Sequence, residues 1–273
     1  MDTRPDFLRF SLSNGRSVGP GAKYLRWGFF PRELWPLLVE NGAEGGMAVQ
    51  ADQTEKETDL LIVLAKEHKW IKGVIGWVDL QADDLIERLD WYRSFSVLKG
   101  FRHLLHDEPR RNLMNQPAFL NGIAALSRYD YTYDILIYPD QLKYAARLAG
   151  LFPQQKLVLD LLVDSRHCGL DIVRWREDIW DLARRQHVYC KISGMIPIAG
   201  SDASARVDFH RYIDEMVKAF GMDRVMFGCD WPLRQAAAAY EAGTRLVQSY
   251  FSTFSRMEQE LFYIWNAVNF YNL

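Results

Sequence analysis

The chain is poor in the residues that usually announce a cofactor or a covalent framework. Its three cysteines, Cys168, Cys190 and Cys229, are odd in number and widely spaced, with no Cys-x-x-Cys pair. This argues against a disulfide scaffold or a cysteine zinc site and for a reducing compartment. Of six histidines none precedes His68, and none falls into a His-x-His or His-x-x-x-His pattern. No apolar run is long enough to span a bilayer, and the opening Met1-Asp2-Thr3-Arg4-Pro5-Asp6 lacks the basic start and apolar stretch of a signal peptide. No Gly-x-Gly-x-x-Gly follows an early strand, since Gly45-Gly46 precedes one, and there is no Gly-x-Ser-x-Gly elbow. A net charge of -2 provides no field for nucleic acid or acidic membrane, and Arg110-Arg111 and Arg184-Arg185 read as solvated faces. A cytoplasmic protein with no nucleic-acid or membrane partner is expected; the oligomeric state is left open.

What is present is a large apolar inventory. Hydrophobic residues make up 49% and aromatic residues 14% of the 273 positions, including nine Trp. That suits one large core, as well as pockets that stack on a ligand. Apolar strand candidates at 46–50, 73–80, 97–103, 133–138, 156–162, 188–193 and 224–229 alternate with amphipathic helices at 31–40, 55–67, 83–93, 117–127, 141–151, 173–186 and 210–220. A helical pair over 236–254 and 257–270 completes the chain. Thr54 and Asp83 stand where an N-cap would, and Pro31 and Pro117 suit a first helical turn. Runs such as Ile135-Leu136-Ile137 and Leu157-Val158-Leu159 lack polar alternation, the pattern of strands covered on both faces. With a very short first strand at residues 1–4, the alternation predicts one α/β domain over 1–273, an eight-unit (β/α)8 TIM barrel rather than an open doubly wound sheet. The Gly-, Ser- and Ala-rich stretch 196–205 predicts a mobile loop.

Several segments occur in an order that resembles the amidohydrolase superfamily, in particular the branch of L-fuconolactonases and 2-pyrone-4,6-dicarboxylate lactonases. They are Val74-Ile75-Gly76-Trp77-Val78-Asp79-Leu80, Lys99-Gly100-Phe101-Arg102-His103 and Thr132-Tyr133-Asp134-Ile135-Leu136-Ile137-Tyr138-Pro139. Further on come Val158-Leu159-Asp160, Cys190-Lys191-Ile192-Ser193-Gly194, Met226-Phe227-Gly228-Cys229-Asp230-Trp231-Pro232 and Asn266-Ala267-Val268-Asn269-Phe270-Tyr271. The resemblance implies a βα barrel that hydrolyses sugar lactones or related cyclic esters at the C-terminal ends of its strands, without a metal in some members. It also implies a His-x-His pair on the first strand, a His after Val-Leu-Asp and the Asp of Asp-Trp-Pro. Of these positions only Asp230 retains the family residue: Arg4 and Asp6 fall where the pair belongs, and Leu161 follows Asp160. A start upstream of Met1 would restore the pair but not the His at Leu161.

The surviving residues limit the chemistry. Asp6, Asp230 and His103 are the one ligand set left for zinc, which wants about three convergent donors, so no cofactor is expected. A metal-free route needs a base for water and an electrophile for the oxyanion. Asp230, flanked by Trp231, is the candidate base. Arg4 is a candidate electrophile, or it pairs with Asp6 or Asp230 as an inert bridge. Arg102 and His103 alternate faces, so one points inward and the other toward a helix; both are candidate substrate contacts, as are Lys191 and Asp6, and Arg102 or Lys191 could stand in for Arg4 at the oxyanion. Tyr138, Trp77 and Trp231 are candidate substrate contacts with packing as their alternative. Lys191, a charge in an apolar run, must be paired or lie at the barrel mouth. Cys229 reads as a buried small hydrophobe. Two functions compete: a lactone hydrolase acting on a sugar lactone or similar ester, and a catalytically impaired barrel that binds a small acid or a partner protein.

Overall fold

The computed structural model describes residues 31–161, 172–193, 209–229 and 237–273. Seven parallel strands lie side by side in chain order: β1 Gly46–Val49, β2 Ile71–Gly76, β3 Leu98–His103, β4 Thr132–Ile137, β5 Leu157–Leu161, β6 Val188–Ile192 and β7 Val225–Phe227. Helices α1 Pro31–Glu40, α2 Glu55–Glu67, α3 Leu85–Tyr92, α4 Pro117–Arg128, α5 Leu142–Leu151, α6 Ile172–Ala183 and α7 Phe209–Phe220 alternate with them. The chain ends with α8 Ala237–Phe251, α9 Arg256–Glu260, a π-helical turn at Leu261–Trp265 and α10 Asn266–Tyr271. The predicted strand at residues 1–4 and the loop at 196–205 lie outside the described residues.

Strand side chains alternate between two environments. In β5, Leu157, Leu159 and Leu161 enter the large apolar layer shared with helix residues such as Leu148, Ile179 and Ile213. Val158, between them, joins a second cluster with Ile75, Met226, Phe270 and Tyr271. Ile75 and Met226 belong to β2 and β7, which in a flat sheet would stand about 24 Å apart, five steps of about 4.8 Å. That they share one cluster around Phe270 and Tyr271 requires the sheet to curl about its inner face. The end of the chain fills the resulting concavity. Asn266 holds it there, its Nδ2 donating to the carbonyls of Met222 and Val225 at 2.7 Å each, while Lys99 Nζ reaches the carbonyl of Asn272 at 2.8 Å.

Two sequence expectations shift. Thr54 caps α2, accepting from Glu57 N at 3.3 Å, but Asp83 caps nothing: α3 follows Asp84, whose carboxylate binds Arg88 instead of a backbone N–H. The predicted strand at 73–80 is displaced to 71–76 because Thr58 of α2 takes over the backbone beyond it. Thr58 Oγ1 accepts from Trp77 N and donates to Trp77 O, both at 2.8 Å, and the residue is fully buried. This approach needs glycine at 76, where a Cβ would meet Thr58 Cγ2 at 2.5 Å. Thr58→Val keeps the shape but strands both Trp77 groups; equilibrium urea unfolding is expected to show a loss of about 1–3 kcal/mol, with Thr58→Ser losing less.

Candidate active site

Three charged residues occupy the penultimate position of their strands: Arg102 in β3, Asp160 in β5 and Lys191 in β6. They therefore collect at the C-terminal ends, the end at which parallel α/β barrels place their chemistry. Asp134 lies deeper, in the middle of β4, paired in register with Arg102. Lys191 Nζ binds Asp134 Oδ2 at 2.5 Å and stands 3.6 Å from Asp160 Oδ2. Arg102 Nη1 binds the same Asp160 oxygen at 2.7 Å, and Ser193 Oγ donates to the other at 3.0 Å. Tyr271, rising from α10, donates its hydroxyl to the Asp134 carboxylate at 3.0–3.1 Å. Gln50, just past β1, locks the guanidinium: its Oε1 accepts from Arg102 Nε and Nη2 at 3.3 and 3.2 Å, its carbonyl also accepts from Nη2, and its Nε2 donates to the Arg102 carbonyl.

Each ion here would be costly alone, since an unpaired charge in an apolar interior costs several kcal/mol. Two cations against two carboxylates remove that cost. Burial works against the Lys191 ammonium, but Asp134 and Asp160 outweigh it and hold its pKa above that of an ordinary lysine. Burial likewise opposes the Asp160 carboxylate, and Lys191, Arg102 and Ser193 together bring it below the usual carboxylate range. Asp134 is pushed up by burial, with Lys191 pulling only part of the way back. It is the weak member, and it is the one that accepts from the Tyr271 hydroxyl.

The sequence-predicted residues separate. Arg102 and Lys191 meet at Asp160, as inward-facing positions should. His103 faces the other way, its ring edge-on to Phe119 of α4 at 5.6 Å, with Nδ1 accepting from Trp77 Nε1 at 3.2 Å. Burial depresses its pKa to about 4, so it is neutral at neutral pH. Trp77 thus goes with His103 rather than with the ion cluster, and is half-buried. Tyr138, after β4, is packed by the His106 ring at 5.3 Å and by the Arg111 guanidinium, which itself forks onto Asp140 at 2.9 and 2.6 Å. Arg111 is therefore part of a built contact, not simply a solvated face. Cys229 is half-exposed, contrary to the expected buried hydrophobe, and it is Cys190 that is fully buried, its thiol pushed up by burial. Leu161, where the resemblance places a histidine, is fully buried in the layer between sheet and helices. Arg4, Asp6, Asp230 and Trp231 lie outside the described residues.

Sequence reasoning missed Asp134, Asp160, Gln50 and Glu57. Glu57 is buried on α2 and accepts from the backbone N–H of Ala51 and Asp52. Burial carries its pKa up to about 7 despite those bonds. Among the described residues no group of three His, Cys, Asp or Glu side chains could hold a metal ion. The donor chemistry agrees: Asp134 and Asp160 are already neutralised by an ammonium and a guanidinium, so this part of the site does not fit zinc.

Lys191→Met leaves two buried carboxylates with one cation, and a loss of about 3–5 kcal/mol in unfolding free energy is expected near neutral pH. The sign of its pH dependence follows from Asp134. A carboxyl whose folded pKa lies above the unfolded value gives stability at low pH that is lost as pH rises through the folded pKa, and removing Lys191 raises that pKa further. The deficit should therefore shrink on acidification toward pH 5, as read by urea unfolding across pH.

Four matches to known proteins bear on this geometry. A family model described as amidohydrolase matches residues 17–273. The L-fucono-1,5-lactonase of Burkholderia multivorans is 33% identical over 258 residues, covering 91% of this chain and 87% of the relative. A crystal structure of an amidohydrolase from Burkholderia multivorans with bound zinc superposes with a TM-score of 0.83 at 32% identity, over 93% of this chain and 92% of that one. A probable 2-pyrone-4,6-dicarboxylic acid hydrolase from Acinetobacter baumannii shares the fold at 16% identity, with a TM-score of 0.67 over 97% and 95% of the two chains. The matched family spans the strands that carry Arg102, Asp160 and Lys191, and the chain belongs to the amidohydrolase family.

Proposed function

We propose that this protein opens the ring of a sugar lactone by metal-independent hydrolysis. The observation that carries the reading is the cluster of Arg102, Asp160 and Lys191 at the strand ends, supplied with its own cations, in a chain 33% identical to an L-fucono-1,5-lactonase. Zinc is present in a related structure, yet the inner carboxylates of this chain are engaged by Lys191 and Arg102, and no step here is assigned to a metal.

In this reading Asp230, three positions beyond the end of β7 in sequence, takes a proton from water. The water oxygen bonds to the lactone carbonyl carbon. Negative charge grows on the carbonyl oxygen and is met by a cation of the site, Arg102 or Lys191, with Arg4 as a further candidate. A cation held in fixed geometry before the reaction stabilises this charge without reorganisation. The ring C–O bond then breaks, and its oxygen leaves as a hydroxyl by taking the proton from Asp230. The carboxylic acid so formed loses its remaining proton to solvent, leaving a carboxylate and an alcohol on one open chain. Asp6 and Trp231 are proposed to shape the substrate side of the site, while Trp77, His103 and Tyr138 pack behind it.

Proton release from a panel of aldonolactones and from 2-pyrone-4,6-dicarboxylate, followed with a pH indicator, tests the proposal. At least one lactone should be opened, and Asp230→Asn should lower kcat/KM by about 100-fold or more, with chelator leaving the wild-type rate unchanged. A wild type no faster than the variant on every lactone would return the chain to the reading of a binding barrel. Loss of activity on chelation with recovery on zinc would refute metal independence.

A further inference from the structure

Glu57 has an arrangement that helix capping does not explain. It is the third residue of α2 behind the N-cap Thr54, in the Thr-x-x-Glu spacing of a capping box. A capping-box glutamate returns to the N–H of its own N-cap. Glu57 instead reaches past it, accepting from Ala51 N at 3.0 and 3.1 Å and from Asp52 N at 2.7 Å. It is buried, and a carboxylate placed there without a role would be costly.

The segment it grips runs from the end of β1 to the start of α2, and its two glutamine side chains bind one place, the C-terminal end of β3. Gln50 holds the guanidinium and carbonyl of Arg102. Gln53 Oε1 accepts from Leu104 N at 3.0 Å. The two glutamines thus bracket Arg102 and Leu104, and the two residues between them are those whose N–H groups end on Glu57. Asp52 from the loop and Arg102 from β3 are the charges that act on its carboxyl.

We propose that Glu57 is a positioning residue for Arg102: its carboxylate fixes the 50–53 loop, and the loop fixes the guanidinium at the mouth. The consequence for catalysis rests on the lactonase reading; the structural link does not. Protonation would withdraw one acceptor oxygen, so the grip is firmest when Glu57 is ionised.

The test uses Glu57→Gln in the full chain, with amide exchange followed residue by residue and lactone hydrolysis measured in parallel. Exchange at Leu104 N should speed up at least tenfold while Leu120 N of α4, bonded to the carbonyl of Gln116 just before the helix, stays unchanged. On the preferred lactone kcat should fall at least tenfold with KM altered less than threefold, a split that general loosening of the fold would not give. If Glu57→Gln fails to fold, Glu57→Asp, which withdraws the carboxylate by one methylene, is read the same way. Unchanged protection at Leu104, or a rate loss confined to KM, overturns the proposal. If the wild type opens no lactone the functional reading fails by itself, and the exchange measurement still decides whether Glu57 holds the loop.

Discussion

Lys191 places its ammonium between Asp134 and Asp160 inside the curl of the sheet, where charge must be matched by charge. The spacing is close, 2.5 Å to one carboxylate and 3.6 Å to the other. At an effective dielectric of about 20, opposite charges some 4 Å apart attract by about 4 kcal/mol, comparable to the cost of desolvating an ion. One pair alone would roughly break even. The second cation, Arg102, and the hydroxyls of Ser193 and Tyr271 turn the balance, and they tie β3, β4, β5, β6 and α10 to a common centre. The last helix is therefore part of the site: Asn266 anchors it to β7 and Tyr271 donates a hydrogen bond to Asp134.

The same arrangement bears on the metal question. A buried carboxylate pair is the kind of donor set a divalent cation uses, and a related structure holds zinc. Here the pair is occupied by two organic cations that fold with the chain. Arg102 reaches the strand ends already oriented by Gln50 and Asp160. Leu161 fits this picture. It joins the alternating apolar positions of β5 that face the helices, leaving Asp160 as the strand's contribution to the interior.

Much of the architecture was legible in the sequence because it rests on periodicity. The bounds of α1 and α2, and strands within a residue or two at β3 to β6, follow from apolar runs and their punctuation. The run at 73–80 misled because Val78 and Leu80 are buried after the strand has ended, in a segment whose backbone is taken by Thr58, a tertiary contact that no local pattern announces. The site was half legible. Lys191 stood out as a charge in an apolar run, and the demand that it be paired is met. Asp134 and Asp160 carried the same signal within Thr132–Ile137 and Leu157–Leu161, and the argument made for the lysine applied equally to them. Gln50 and Glu57 gave no such signal, since a glutamine at a strand end and a glutamate in a first helical turn are ordinary.

The interior ions stabilise the protein as a matched set and not singly. A double-mutant cycle on Lys191 and Asp134 measures this directly, comparing Lys191→Met, Asp134→Asn and the two combined by urea unfolding. Matching predicts that the combined variant recovers about 2 kcal/mol or more of the summed single losses. Losses that simply add would contradict it.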